Sequence, residues 1–380
     1  MKKTWVALAV AGAFVAGTAQ AQSSVTLYGI LDVNYMWEEK PTTIGTGAAA
    51  RVVQESVSGI NSGHQFGNRW GLRGSEDLGG GMKGIFTVES GFSLDTGTLG
   101  QGGRLFGRQA WVGLETGWGS VVAGRLATFS SGTGSFDMFG RTDPFGTGFG
   151  LAGLGQTFFS ANALRVDNAI AYVSPRFGGF RGGIGYTPRV DGGETAPQSS
   201  NTSAFIAGAN FETGPFWIGV TYDAVDYDSA SNRSDQRHLQ IGATFDIGPV
   251  RLHGGFANQT GISGVALTSG GAGAFVRLPP QLPAYDNQSY MAGITWKMGA
   301  FTLLGSYQWS SADGQSYTTI TGGPTLNFDP DYSVFGIGAT YALSRRTNLY
   351  TSYAARDANG TLLDNSFNYK QFALGVAHRF

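Results

Sequence analysis

The 380 residues carry 25 basic and 26 acidic side chains, a formal net charge of −1, and only 13% are charged. Cysteine is absent, which excludes disulfides, thiolate catalysis and Cys-ligated metal, and the near-neutral balance offers no basic face to nucleic acid. Glycine reaches 61 residues and aromatics 13% (26 Phe, 15 Tyr, 8 Trp), a charge-poor composition foreign to ordinary soluble domains, yet without a collagen period.

Taken in chain order, residues 1–21 read as a secretory leader: Lys2 and Lys3 precede an apolar run from Trp5 to Gly17, and Ala19-Gln20-Ala21 fits a small-x-small cleavage site. The expected domains are therefore a leader over 1–21 and one domain over 22–380. Beyond the leader the dominant period is two. Val25, Leu27, Gly29, Leu31, Val33, Tyr35 and Trp37 alternate with Thr26, Asp32 and Asn34, the pattern of a strand with one apolar and one polar face. Similar segments follow near 66–75, 82–92, 107–115, 118–128, 166–174, 179–187, 203–212 and 215–223. The last seven lie near 236–246, 249–257, 287–298, 300–310, 331–342, 347–356 and 369–380, making sixteen strands in all.

Their connections alternate in length. Seven are short and carry turn chemistry, such as Glu212-Thr213-Gly214-Pro215 and Asp246-Ile247-Gly248-Pro249, where Gly supplies positive φ and Pro opens the next strand. Eight are long and polar, near 39–65, 93–106, 129–165, 188–202, 224–235, 258–286, 311–330 and 357–368. Sixteen half-apolar strands could pair as a sandwich or close as a barrel. Alternating short and long connections favour a transmembrane barrel. So do aromatics near strand ends (Tyr35, Trp37, Phe86, Phe92, Trp217, Tyr222, Trp296, Tyr307, Trp309, Tyr341, Tyr353), placed as interfacial girdles require. In lipid every backbone group must be paired, so the sheet must close.

Several blocks carry a resemblance: SSVTLYGILDVNY (23–35), RWGLRGSEDLGGGMKGIFTVESGF (69–92), GRQAWVGLETGWGSVVAGR (107–125), SRRTNLYTSYA (344–354) and FALGVAHRF (372–380). The chain closely resembles the general porins of the Gram-negative outer membrane, β-proteobacterial branch. The resemblance implies an all-β, sixteen-stranded antiparallel barrel with short periplasmic turns and long outer loops. It also implies an inward-folded third loop, here 129–165, that narrows a water-filled lumen passing small solutes and ions, and assembly as a homotrimer. Lipopolysaccharide and outer-membrane lipid are the implied surroundings. Phe372, Leu374, Val376, His378 and Phe380 alternate toward a terminal aromatic and resemble the assembly signal read by the outer-membrane insertion machinery as an added strand.

Catalysis finds little support. His64 falls in an outer loop, His378 on the lipid-facing parity, and His238 and His253 take lumen parity without an evident nucleophile. No two histidines share metal-ligand spacing, and no cofactor is expected. A GxGxxG string at Gly148, Gly150 and Gly153 lies in a Gly-rich loop, without the strand before and helix after that a dinucleotide fingerprint needs. Charge inside the lumen is the better signal. Arg69 and Arg73 share one strand face, Arg108 and Arg125 flank neighbouring strands, and the third loop brings Asp137, Arg141 and Asp143. The expectation is a constriction in which Asp137 and Asp143 face an arginine row of Arg69, Arg73 and Arg125, setting a transverse field and an ion preference. The opposing reading is that these arginines pin the loop through carboxylate pairs. Asp32, Lys83 and Glu89 are expected to line the lumen as well. Acidic outer-loop residues (Glu38, Glu39, Asp191, Glu194, Asp226, Asp228, Asp235, Asp313, Asp329, Asp331, Asp364) could bridge lipopolysaccharide through divalent cations, or simply be solvated. The function expected is passive diffusion of hydrophilic solutes; the alternatives are a substrate-selective anion porin and a barrel serving as surface antigen or adhesin.

Overall fold

The computed structural model describes residues 23–44, 51–158, 165–228, 234–262, 285–312, 315–318, 325–328, 331–358, 361–362, 365–366 and 368–380. The leader lies outside these residues. The strands are β1 (Ser24–Ile44), β2 (Arg51–Ser62), β3 (Arg69–Gly79), β4 (Met82–Gly91), β5 (Gln109–Thr116), β6 (Gly119–Ala127) and β7 (Arg165–Val173). Then come β8 (Phe180–Thr187), β9 (Ser203–Thr213), β10 (Phe216–Asp226), β11 (Gln236–Ile247), β12 (Val250–Ile262), β13 (Tyr285–Met298) and β14 (Phe301–Ala312). After β15 (Gln315–Thr318) and β16 (Thr325–Phe328), a small separate hairpin, the wall resumes with β17 (Tyr332–Ala342) and β18 (Thr347–Ala358). β19 (Thr361–Leu362) and β20 (Asn365–Ser366) form a minute ladder, and β21 (Tyr369–Arg379) ends the wall.

Every wall strand is antiparallel to its neighbours, and β21 pairs back onto β1 from Ile30↔Arg379 to Glu39↔Lys370. The sheet therefore closes. β1 meets β3 over Ser24–Ile30 and β2 over Val33–Ile44, both along its other edge. β2 and β3 are thus two parts of one wall strand interrupted at residues 63–68, and the wall holds sixteen strands. All seven short turns fall where the sequence placed them, six marked by glycine and the seventh at Ser344-Arg345-Arg346. The connection expected over 39–65 is corrected: β1 runs on to Ile44, and β2 occupies Arg51–Ser62. The segment RVVQESVSGINS is polar at most positions, so its alternation was not visible as a strand.

Side-chain direction follows the pleat. Val25, Leu27, Val112, Leu114, Ile184, Leu252, Ile294, Ile337 and Leu374 are exposed on the outer face, as a wall bathed in hydrocarbon requires. Aromatics Tyr35, Tyr222, Trp296, Tyr307, Trp309 and Tyr341 join them there. Trp217 is a correction: it is buried, on the inner parity of β10 with Thr221 and Asp223, and Arg141 lies over its ring at 5.9 Å. The inner face carries buried polar residues such as Asn34, Thr87, Gln109, Gln240, Ser289, Gln308 and Gln371. Between β6 and β10 that rule changes. Val122, Leu126, Val166, Ala171, Val173, Ala204 and Ile206 form an apolar inner patch, packed on Phe129 and Met138 of the third loop. Strands covered on both faces need not alternate, which explains the weak alternation of GSVVAG and AIAYV.

Closure rests on a tight contact. Gly29 and Phe380 exchange two backbone hydrogen bonds of 3.1 Å. A Cβ on Gly29 would overlap the Phe380 ring, so only glycine lets the last aromatic lie flat against the first strand.

Candidate functional site: the lumen and its inward loop

The long connection after β6 folds into the barrel, as expected, and its described part, residues 128–158, contacts wall strands from β5 round to β21. Near its start, Ser135 N–H donates to Gln109 Oε1 at 3.0 Å and the Ser130 hydroxyl donates to Asp223. In its middle, the Arg141 guanidinium pairs with Glu212 and lies 3.6 Å from Asp246. The Thr142 carbonyl is 3.0 Å from His253 Nδ1, whose Nε2 is 3.0 Å from the Thr295 hydroxyl. Further on, Phe149 N–H donates to the His64 carbonyl (2.5 Å) and Leu151 N–H to Gln371 Oε1 (2.9 Å). The Ala152 carbonyl accepts from Ser306 (2.9 Å) and Gln308 (2.8 Å), and the Thr157 carbonyl from Gln259 and Ser289, both at 2.8 Å. The Phe158 carbonyl accepts from Gln240 at 2.9 Å. Backbone groups of the loop, which would otherwise go unpaired in the lumen, are thus satisfied by neutral wall amides and hydroxyls.

Glycines on the inner face let the loop come this close. A side chain at Gly208 would meet Phe129 and Met138, at Gly242 Thr142, at Gly293 Pro144, at Gly336 Ala152 and at Gly338 Phe145. Part of the glycine excess is a track for this loop. The sequence carried that signal as glycines at strand centres.

Asp137 and Asp143 do not face an arginine row. Asp137 Oδ1 accepts from Gly132 N–H (2.8 Å), and its Oδ2 accepts from Gly140 N–H (2.9 Å). Asp143 accepts from the N–H groups of Phe145 (2.8 Å), Thr147 (2.9 Å) and Leu154 (3.0 Å). Both carboxylates are consumed in bending the loop's own backbone, a common use of Asp in turns. Burial raises both carboxyls, Asp143 to about 6, against the lowering effect of those donors.

Arg69, Arg73 and Arg108 do gather on one sector of the inner wall. Arg108 Nε is 2.6 Å from Glu89 Oε1, with both side chains nearly inaccessible, and Tyr28 donates to Glu89 Oε2 at 3.0 Å. Arg69 Nε donates to the Gly67 carbonyl (2.9 Å), and the Arg73 guanidinium lies over the Tyr28 ring at 5.3 Å. Lys83 is exposed and pairs with Glu115 at 3.3 Å. Glu89 is buried rather than open to the lumen, and so is Asp32, whose Oδ1 accepts from Tyr350 OH at 2.5 Å and Oδ2 from Phe66 N–H at 2.6 Å. Arg125 departs from the row. It is paired in register with Ala110, on the outward parity of Val112, and its guanidinium binds Asp167 and the Gly107 carbonyl. Arg104 shares that carboxylate at 2.9 Å and also pairs with Asp191, and these partners raise its already high pKa. The irregularity between Gly124 and Leu126 hid this facing from the sequence.

Sequence reasoning missed Arg165, whose buried Nε has no hydrogen-bond partner among the described residues and whose charge is felt alongside those of Arg108, Arg69 and Arg125. Arg108 Nη2 is likewise buried without a partner among them. Across the ring, Glu212, Asp246 and Arg251 on β9, β11 and β12 form the seat of Arg141; Arg251 Nε is 2.5 Å from Asp246. His238 lies on the inner face as expected, but among the described residues no nucleophile is bonded to it: its Nδ1 is 3.8 Å from Asp223. His64 is a correction. It is buried inside the wall at the interruption of β2 and β3. Among the described residues no group of three or more His, Asp or Glu is placed to hold a metal ion. Of the acidic outer-loop residues, Asp313, Asp329 and Asp364 lie outside the described residues. Phe372, Leu374 and Phe380 are exposed on the outer face, with Val376 half-buried beside them.

A closed antiparallel ring of sixteen strands, greasy outside, polar inside and narrowed by one infolded loop, defines an outer-membrane diffusion channel. The comparisons agree. Residues 7–361 match the Gram-negative porin family, and the chain belongs to it. It is 34% identical to an outer membrane porin protein of Bordetella pertussis over 408 residues, covering 100% of both chains. It is 33% identical over 258 residues to outer membrane porin protein 32 of Delftia acidovorans, covering 67% of this chain and 68% of that one. Its fold is similar to an anion-selective porin from Comamonas acidovorans (TM-score 0.70, 23% identity, 94% of this chain and 100% of that one). The protein is an outer-membrane porin of the Gram-negative type.

Proposed function

We propose that the channel prefers anions and that Arg69, Arg73, Arg108 and Arg165 set the preference. The observation that carries this is an imbalance. On the basic sector Glu89 serves Arg108 and Tyr28, while among the described residues Arg73 has no carboxylate partner and Arg165 no hydrogen-bond partner at Nε. Asp137 and Asp143, the loop carboxylates able to offset that charge, are engaged by backbone N–H groups. An excess of fixed positive charge beside a narrow aqueous path raises the local concentration of anions and repels cations. Arg141 acts differently in this reading. Held by Glu212 and Asp246, it pins the loop and contributes little net field.

The test is the zero-current potential across a planar bilayer in a salt gradient. Arg69→Gln together with Arg73→Gln is expected to move it toward the cation side; an unchanged potential overturns the assignment. The same reading holds that residues 1–21 are removed on export, leaving a single barrel domain from Gln22. It also holds that three copies assemble, amid lipopolysaccharide, after the insertion machinery recognises the strand ending at Phe380. The outward aromatic and aliphatic parity of that strand supports the last step.

A further inference from the structure

The interruption of the second wall strand is the seat of the inward loop's far end. Between Ser62 and Arg69 the chain leaves the ladder, and β1 satisfies itself from side chains instead. Asp32 N–H donates to Asn68 Oδ1 (2.5 Å), Asn68 Nδ2 donates back to the Asp32 carbonyl (2.9 Å), and Gly63 N–H donates to the same carbonyl (3.0 Å). The six freed residues turn into the barrel and receive the loop. The His64 carbonyl accepts from Phe149 N–H, and Gly148 packs so closely on the Gln65 carbonyl that no side chain would fit there.

The His64 ring is the centre of this seat. It is 4% exposed, lies between Phe149 of the loop (centroids 6.1 Å apart) and Tyr350 of β18 (6.0 Å, stacked), and places Nε2 at 2.8 Å from the Ser352 hydroxyl. Nδ1 is buried with no partner among the described residues and lies against Gly150. A neutral imidazole tolerates that arrangement, because one nitrogen can remain a bare acceptor. A protonated ring cannot: both nitrogens become donors, one of them faces no acceptor, and the charge is held between two aromatic rings away from water.

We propose that His64 is a proton-sensitive catch for the inward loop: neutral, it holds residues 148–152 against the wall, and protonated, it releases them and widens or destabilises the constriction. The charged groups around it do not rescue the cation. Asp32 is committed to Tyr350 OH and Phe66 N–H, Glu38 to Lys40, Gln371 and Tyr369, and the Arg379 guanidinium lies over Phe66 at 4.4 Å. Asp143 at the loop's middle has the opposite sign. Its carboxyl is raised by burial, so its contribution is complete at low pH and is lost as pH rises through about 6. A comparison with and without the imidazole separates the two.

Single-channel recordings would be made from about pH 7 to about pH 3, because a ring whose cation is disfavoured by burial takes its proton below the ordinary imidazole range. The native channel is expected to show rising conductance or open-state noise as pH falls, and His64→Gln to lose that step. Identical pH profiles in the two proteins overturn the proposal. Should the variant not assemble, hydrogen exchange on the native protein decides. After correction for intrinsic rates, amides 149 and 151 are expected to lose protection roughly tenfold in acid while amide 138 keeps its own. Equal protection of 149 and 151 at both ends of the range overturns it.

Discussion

Where buried charge in this lumen is paired, it is paired at close quarters, and the Arg108–Glu89 contact is the clearest instance. Removing one partner of such a pair strands the other without water, which costs more than the pair itself contributes. Arg108→Ala is therefore expected to destabilise the folded barrel by about 3 kcal/mol, the lower end of what an orphaned buried charge costs. The check is the denaturant midpoint of detergent-solubilised protein. Arg108→Met with Glu89→Met should recover most of the loss, whereas equal losses in the single and double variants would argue that packing, not charge, is responsible. Asp143 illustrates how a carboxylate can look like a pore residue and serve as a turn. Three N–H donors converge on it, and a sequence gives no means of seeing that they do.

At the level of elements, the third loop is held along its whole described length, and the Arg141 ion pairs, the His253 contact and the docking at residues 63–68 are three of its stations. The Arg141 partners are partly exposed, so each pair contributes modestly, about 0.5 kcal/mol after screening by solvent. Arg141→Ala is expected to leave folding intact and to add current noise at constant mean conductance, because the other wall contacts of the loop remain. Gly242→Val should do more. Its side chain would occupy the space of Thr142, and the loop must move off the wall, with a changed single-channel conductance as the readout. Unaltered conductance in Gly242→Val would show that the loop's middle does not limit flow.

How far the sequence reaches also differs by element. Turns, strand count and outer-face parity were readable because a period of two and glycine-proline turns are local. The inward direction of the long connection came from resemblance rather than pattern. The second wall strand was hidden because its outer half is polar, and its interruption is filled by contacts with Asp32 and Phe149 that lie far away in sequence. Trp217 and Arg125 were misplaced for a related reason. Their faces depend on a strand edge in one case and on a bulge in the other, and alternation alone shifts by one residue there.

For the molecule as a whole, the outer face decides where the protein can exist. Leu374 is 57% exposed on the last wall strand, flanked by Phe372 and Val376 on the same side. Leu374→Arg would place a cation where only hydrocarbon is available, at a cost of about 2–4 kcal/mol if near the bilayer midplane and less toward its edges. The expected result is slower insertion into lipid vesicles and a lower unfolding midpoint, with Glu194→Arg in the exposed connection between β8 and β9 as the comparison. Equal behaviour of the two variants would mean that this face is covered by protein rather than lipid.

The Gly29–Phe380 junction carries a kinetic meaning. A ring of strands has no partly finished form free of raw margins: until those two residues meet, the open seam exposes one unpaired ladder on each side, separated by nearly the full length of the chain. Zipping that seam must await the most distant pairing in the molecule, and contacts of such separation form slowly. A bulky residue at position 29, which cannot lie flat against Phe380, should therefore lengthen the life of the unsealed intermediate, which a protease added during refolding would trap.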